Sequence, residues 1–202
     1  TPVRKNIFKT SAEAKPSNRM TVFVFGGSQG AQKINEGVLD SLTHLQRFKD
    51  RIHFIHQVGA KADIAVIQRR YQSEGFSAEV LPFIQEMGPV YARADFVIAR
   101  AGANTVAELK ALQKPSLLIP YSHSAGGPQE ANAKVLEKSG GAKIFLDQEV
   151  NGENIANAIR EIIGSPKLLT TMQENLAKFG GSNASENIVE ECMHLIRANY
   201  VQ

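Results

Sequence analysis

The sequence predicts an α/β domain with a parallel sheet of about six strands and helices on both faces. Two observations carry this prediction. Short apolar runs alternate with helix-period patterns along most of the chain, and repeated strand–helix units build a parallel sheet with right-handed crossovers. The first run also leads into "TVFVFGGSQGAQKINE", Thr21 to Glu36. That is the Rossmann-like layout of a strand, a tight turn that can cradle a phosphate, and a helix N-terminus. At 202 residues, 43% of them hydrophobic, the chain suits one ample domain, or one domain with an appendage, and can bury a real core.

Residues 1–19 are polar, contain Pro2 and Pro16, and show no periodicity, so they read as a lead-in segment. The start at Thr1 without a methionine suggests an excised piece or residues missing upstream. The main domain is expected over residues 20–180. Its strand candidates are Thr21–Phe25, Ile52–Gln57, Ala78–Phe83, Asp95–Ala99, Ser116–Pro120 and Ala142–Phe145. Between them, Ile34, Val38, Leu42 and Leu45 mark one helix, Ile64, Ile67 and Tyr71 a second, and Val106, Leu109 and Leu112 another. A helix around Asn132–Lys138 stops at Gly140-Gly141. Past the last strand the chain is only helical. Ile155, Ile159, Ile162 and Ile163 define one helix, and Ser165-Pro166 caps and opens the next. In a C-terminal helix over residues 181–202, Asn183 with Glu186 resembles a capping box ahead of Ile188, Cys192, Leu195 and Ile196. There is no internal repeat.

Composition narrows the function classes. The 23 Lys and Arg against 20 Asp and Glu leave +3, and no basic run exceeds Arg69-Arg70, which is not the footprint of a nucleic-acid binder. The single cysteine, Cys192, excludes an internal disulfide and suits a reducing compartment. In the apolar register of the last helix it reads as buried filler. No apolar run approaches ~18 residues, so no membrane-spanning helix is predicted, and no segment reads as a signal peptide.

In doubly wound sheets ligands sit beyond the carboxyl ends of the strands, so the loops there carry the functional reading. "GGSQGA", Gly26–Ala31, does not fit G-x-G-x-x-G because Ser28 takes the third position, and no Gly-Lys-Ser/Thr follows to make a P-loop. The second strand ends in His56-Gln57, where a dinucleotide fold places an acid for the ribose hydroxyls. NAD is therefore disfavoured. What remains is Gly27, Ser28 and Gln29 ahead of a helix N-terminus, which is either an anion site or a plain tight turn. Ser28 and Gln29 between the glycines favour a site.

After the fourth strand, "ARAGANTVAEL" offers small residues, Asn104 or Thr105 as a cap, and Glu108 about one turn in. A carboxylate there either grips a vicinal diol, as ribose is commonly gripped, or is a favourable charge near a positive helix end. After the fifth, "PYSHSAGGPQEANA" carries the Gly126-Gly127-Pro128 turn and the amides Gln129 and Asn132, which suit sugar hydroxyls. His123 in that loop reads as solvent-exposed. After the third, "PFIQEMGPVYARAD" sets Ile84 and Met87 as an apolar wall for a flat ring, with Ile84 backbone groups at its edge, or as plain core. His56 reads as structural. His44, His53 and His194 lack metal-ligand spacing, and no Ser-His-Asp arrangement stands out, so no residue is assigned a catalytic role.

Together, "GGSQGA", "HQVG", "FIQEM…YARAD", "RAGANTVAEL" and "Q-x-x-NA", in one order and spacing, closely resemble the C-terminal half of the MurG family of bacterial N-acetylglucosaminyltransferases. The opening "TPVR", Thr1 to Arg4, resembles the "NPVR" that leads into that half. The resemblance covers essentially the whole chain. It implies the GT-B arrangement, in which two Rossmann-like domains face each other across a cleft and the C-terminal one, here residues 20–180, holds UDP-GlcNAc. Position by position, it assigns Ser28 and its glycine neighbours such as Gly27, with Arg4, to the diphosphate, with Thr105 at a helix end nearby and Gln29 counted among the substrate-binding residues. It assigns Ile84 backbone groups and Met87 to the uracil, Glu108 to the ribose hydroxyls, and Gln129 to the GlcNAc ring. Thr1 stands where the family usually has asparagine. Pro128 precedes Gln129 where some members carry two glutamines, so one sugar-contacting amide carries over. With no Asp-x-Asp motif, no metal and no cofactor are implied; positive helix ends and Arg4 would stabilise the departing UDP.

The resemblance thus implies the donor half of an inverting transferase that makes lipid II from lipid I in peptidoglycan synthesis, peripheral on the cytoplasmic side of the bacterial inner membrane. The lipid I site, the base and the membrane contact would belong to an N-terminal domain outside this chain, toward which residues 181–202 would pack. The chain alone would be inactive. Two other readings stand beside it: the donor subunit of another lipid-linked glycosyltransferase of the same superfamily, and a non-catalytic nucleotide-binding module.

Overall fold

The computed structural model describes residues 3–8, 19–121, 127–179 and 184–199; His123, Gly126 and the cap expected at Asn183 lie outside them. Six strands, β1 (Met20–Phe25), β2 (Ile52–Gln57), β3 (Ser77–Leu81), β4 (Phe96–Ala99), β5 (Ser116–Leu118) and β6 (Ala142–Ile144), form one sheet in the order β3-β2-β1-β4-β5-β6. All neighbours are parallel. The order reverses between β1 and β4, and that is where an open α/β sheet leaves a crevice at its carboxyl edge.

The helices are α1 (Gln32–His44), α2 (Ile64–Ser73), α3 (Met87–Arg93), α4 (Ala103–Ala111), α5 (Pro128–Lys138), α6 (Gly152–Gly164), α7 (Pro166–Lys178) and α8 (Ala184–Asn199). Strand alternation sorts them into two layers. Val22 and Val24 of β1 pack with Ile34 and Val38 of α1, Ile67 of α2 and Ile155 of α6. Phe23 and Phe25 point the other way, to Tyr91 of α3, Leu109 of α4 and Leu136 of α5. Helix α7 reaches both layers through Met172 and Leu176. Each such side chain, fully buried, contributes roughly 1.5–3 kcal/mol. Two side-chain caps form locally: Asp63 accepts from Val66 N–H at the start of α2 and Asn151 from Asn154 N–H at the start of α6. The caps expected elsewhere do not: Ser165 precedes α7 without a side-chain cap bond, and α4 begins behind Gly102, which leaves Asn104 and Thr105 inside its first turn.

The six strands and the helices on both faces are as the sequence predicts, with three differences. Strands β3 and β5 end two residues before their predicted ends, at Leu81 and Leu118, ahead of Pro82 and Pro120, which have no N–H for a ladder. The stretch after β3, expected to be loop, contains α3. Gly88-Pro89 disguises it in sequence, but both fall in its first turn, where a missing N–H costs nothing. Finally, Cys192 is exposed rather than buried. It shares the register of Val189, Leu195 and Ile196, and these too are half or more exposed, because the apolar side of α8 faces solvent.

Candidate functional site

The turn after β1 is shaped by backbone contacts. Gly27 and Gly30 adopt left-handed φ values of 89° and 75°, and Gly30 N–H donates to the Gly27 carbonyl at 3.0 Å. A Cβ on Gly30 would lie 2.2 Å from the Val58 carbonyl oxygen, and one on Gly59 2.5 Å from that of Gln29. The turn and the loop after β2 therefore pack backbone on backbone. A Cβ on Gly27 would touch nothing; its conformation alone asks for glycine. Helix α1 follows with Ala31 at its N-cap and no side-chain cap, so its first-turn amides face outward for an anion.

A buried polar chain backs this turn. Asn35 Nδ2 donates to the Val58 carbonyl at 2.9 Å, which leaves Asn35 Oδ1 to accept from His56 Nε2–H at 3.1 Å. His56 Nδ1 then accepts from the Tyr71 hydroxyl at 3.0 Å. Burial holds His56 neutral, its pKa down at about 3, and raises that of Tyr71. His56 is structural, as the sequence suggests.

Its neighbour Gln57 points to the other face. Its Nε2 donates to the Gly27 carbonyl at 3.0 Å and its Oε1 accepts from Ile84 N–H at 3.0 Å. The amide therefore bridges the turn after β1 to the loop after β3. It also takes the Ile84 N–H, leaving the Ile84 carbonyl as the backbone group for a ring edge.

Across the crevice, α4 starts at Ala103 with Gly102 as N-cap and no side-chain cap. Glu108, in its second turn, is 6% exposed. Its Oε2 accepts from the Tyr91 hydroxyl at 3.2 Å and its Oε1 from Arg4 Nη2 at 3.3 Å, while the Arg4 side chain itself is largely exposed. A carboxylate offers about four acceptor directions, so further donors can be taken from the cleft.

These parts enclose a cleft of about 340 Å³. It gathers Arg4, Gly27, Ser28, Ile84, Met87, Thr105 and Glu108 from the residues singled out in sequence, and adds Gln57, Phe83 and Asn104. Ile84 serves both readings offered for it, lining the cleft and belonging to the core. Gln29 and Gln129 do not line it. The Gln29 side chain is exposed, and Gln129 Oε1 accepts from Tyr121 N–H at 3.1 Å beyond β5. In sequence, Gln57 was given no site role, only a place in "HQVG" and at the strand end where a dinucleotide fold has an acid. The cleft thus offers helix N-termini and a guanidinium for an anion, a carboxylate for a diol, and an apolar wall for a flat ring. Among the described residues that line it, Glu108 is the sole carboxylate and none is a histidine. Among the described residues, no group of three His, Cys, Asp or Glu side chains is placed to hold a metal, and no helix is long and apolar enough to cross a membrane.

Comparison with known proteins points the same way. Residues 21–188 match the model of the glycosyltransferase family 28 C-terminal domain. The chain is 41% identical over 203 residues to the UDP-N-acetylglucosamine–N-acetylmuramyl-(pentapeptide) pyrophosphoryl-undecaprenol N-acetylglucosamine transferase of Thermodesulfovibrio yellowstonii, covering 98% of this chain and 55% of that protein. Its identity to the transferase of the same name from Myxococcus xanthus is 37%, covering 96% and 51%. The chain spans about half the length of these curated relatives. The crystal structure of Acinetobacter baumannii MurG superposes with a TM-score of 0.76 at 27% identity, over 93% of this chain and 54% of that one. A UDP-GlcNAc 2-epimerase from Neisseria meningitidis, TM-score 0.60 at 14% identity, shares the fold alone.

Proposed function

The chain belongs to the glycosyltransferase family 28 C-terminal domain family, and from that premise we propose that it is the donor half of a UDP-GlcNAc-dependent inverting transferase that converts lipid I to lipid II. The observation that carries the reading is the convergence of Arg4, Ser28, Ile84, Thr105 and Glu108 on one cleft at the carboxyl edge of the sheet. The diphosphate lies at the Gly27–Ser28 turn and the α4 N-terminus near Thr105, with Arg4 beside it. The ribose diol donates to Glu108. The uracil rests on Ile84 and Met87 and gives its ring N–H to the Ile84 carbonyl. Gln29 and Gln129 serve the donor from the rim, Gln129 toward the sugar.

As UDP leaves, charge grows on its terminal phosphate, and preorganised N–H donors and a guanidinium stabilise that charge without reorganisation. No metal or cofactor takes part in this reading. The acceptor hydroxyl and its base come from the other half of the full-length protein, which also contacts the cytoplasmic face of the inner membrane, and the exposed apolar side of α8 packs toward that half. Nucleic acid is not a partner.

Transfer itself is the test. Holding the acceptor in line with the anomeric carbon is worth ~7–11 kcal/mol of barrier, and among the described lining residues the one carboxylate, Glu108, is bonded to Arg4 and Tyr91. With a lipid I analogue, the chain joined to the upstream half of a relative should release UDP from UDP-GlcNAc, and the chain alone should not. Turnover by the chain alone, lost on His123→Ala, would overturn the reading.

A further inference from the structure

We infer that Gln57 is a positioning residue: its side-chain amide locks the anion-binding turn to the ring-facing loop and aims the Ser28 N–H at the donor's phosphate. This rests on the donor reading above. Gln57 ends β2 at 3% exposure, and its orientation is dictated by its partners. The Gly27 carbonyl can only accept, so Nε2 faces it at 3.0 Å; the Ile84 N–H can only donate, so Oε1 faces it at 3.0 Å.

The Gly27 carbonyl also accepts from Gly30 N–H at 3.0 Å, so two donors hold it inward. The Gly27–Ser28 peptide is trans, and in a planar trans peptide the N–H points opposite to the carbonyl. Ser28 N–H is therefore turned away from Gln57 Nε2, and because Gly27 and Ser28 line the cleft, it is the amide assigned to the phosphate there. Gly27 has no packing neighbour at its Cβ position, so hydrogen bonding rather than crowding sets its φ of 89°. At its other end the same amide fixes the peptide that presents Ile84. One side chain thus sets the spacing between phosphate grip and base wall, and the His56–Asn35–Val58 chain braces the same turn from the opposite face of the sheet.

The experiment is calorimetric titration of uridine, UMP and UDP into the chain and into Gln57→Leu and Gln57→Glu, with melting curves for each. The unmodified chain should bind UDP more tightly than uridine. In Gln57→Leu, which removes both hydrogen bonds at similar volume, the UDP-to-uridine affinity ratio should fall by about tenfold or more. Gln57→Glu should lower it further by setting a carboxylate oxygen against the Gly27 carbonyl and a negative charge under an anion site. A folded Gln57→Leu whose ratio stays within about twofold of the unmodified chain overturns the inference and leaves the donor reading standing. If neither variant folds, the Ser28 amide resonance of the unmodified chain decides: a shift with UDP but not with uridine supports the inference, and no shift with UDP overturns it. Binding of UDP no tighter than uridine by the unmodified chain overturns the donor reading and this inference together.

Discussion

The hydroxyl of Tyr91 donates to Glu108 Oε2 at 3.2 Å, joining α3 to α4 beneath the cleft. Tyr91 is fully buried and packs edge-on against Phe23 and Phe25, with centroids at 5.5 and 6.1 Å. Burial and the adjacent carboxylate push its phenol well above the usual range, so it stays a donor at neutral pH. Glu108 is thus anchored from the core side.

Glu108→Ala should therefore act twice. Losing a charged acceptor for the ribose should weaken UDP-GlcNAc binding by roughly 1.5–3 kcal/mol, and stranding the Tyr91 hydroxyl should lower stability by about 1–3 kcal/mol. Tyr91→Phe keeps the carboxylate and should weaken binding by less, about 0.5–1.5 kcal/mol. Calorimetry and urea denaturation separate the two effects; unimpaired binding by Glu108→Ala would reject the ribose assignment.

The buried His56 makes stability depend on pH. Its folded pKa lies at about 3 against an ordinary 6.5, so on acidification the unfolded chain binds the proton first. The His56 contribution is whole above pH 6.5 and is lost as pH falls toward 3, with a slope approaching about 1.4 kcal/mol per pH unit. Between pH 7 and pH 5 this amounts to about 2 kcal/mol. Urea denaturation at the two pH values should show that excess loss in the chain and not in His56→Phe.

The glycines of the turn should separate fold from ligand. Gly30→Ala combines a left-handed residue, ~1–2 kcal/mol, with a Cβ 2.2 Å from the Val58 carbonyl, and should lower the urea midpoint markedly. Gly27→Ala carries the conformational cost alone, since its Cβ meets nothing, but it shifts a residue that lines the cleft. It should lose more in UDP affinity than in stability; the reverse ranking in paired melts and titrations would place the anion elsewhere.

What was legible in the sequence is what local pattern encodes. The run Ile52–Gln57, which ends just before Val58-Gly59, became β2 as read. The periodic Ile34, Val38 and Leu42 became the buried face of α1. Helix α3 was hidden because Gly88-Pro89 signals a break in mid-helix but not in a first turn. Gln57 was hidden for another reason: its role depends on Gly27 and Ile84, 30 and 27 residues away, and in sequence it registers only as the missing acid of a dinucleotide fold. Cys192 shows the opposite limit, since an apolar register states that a stripe exists, not what covers it. Arg4 was reached through family resemblance and Gln129 first through its loop, and of the two only Arg4 meets the cleft.

The most direct measurement is calorimetric titration of the chain with UDP-GlcNAc, UDP and NAD. A donor half with Glu108 facing the cleft, and Gln57 where a dinucleotide fold needs an acid, should bind UDP-GlcNAc weakly, UDP comparably or somewhat less, and NAD not at all. Preference for NAD over UDP-GlcNAc would contradict the account.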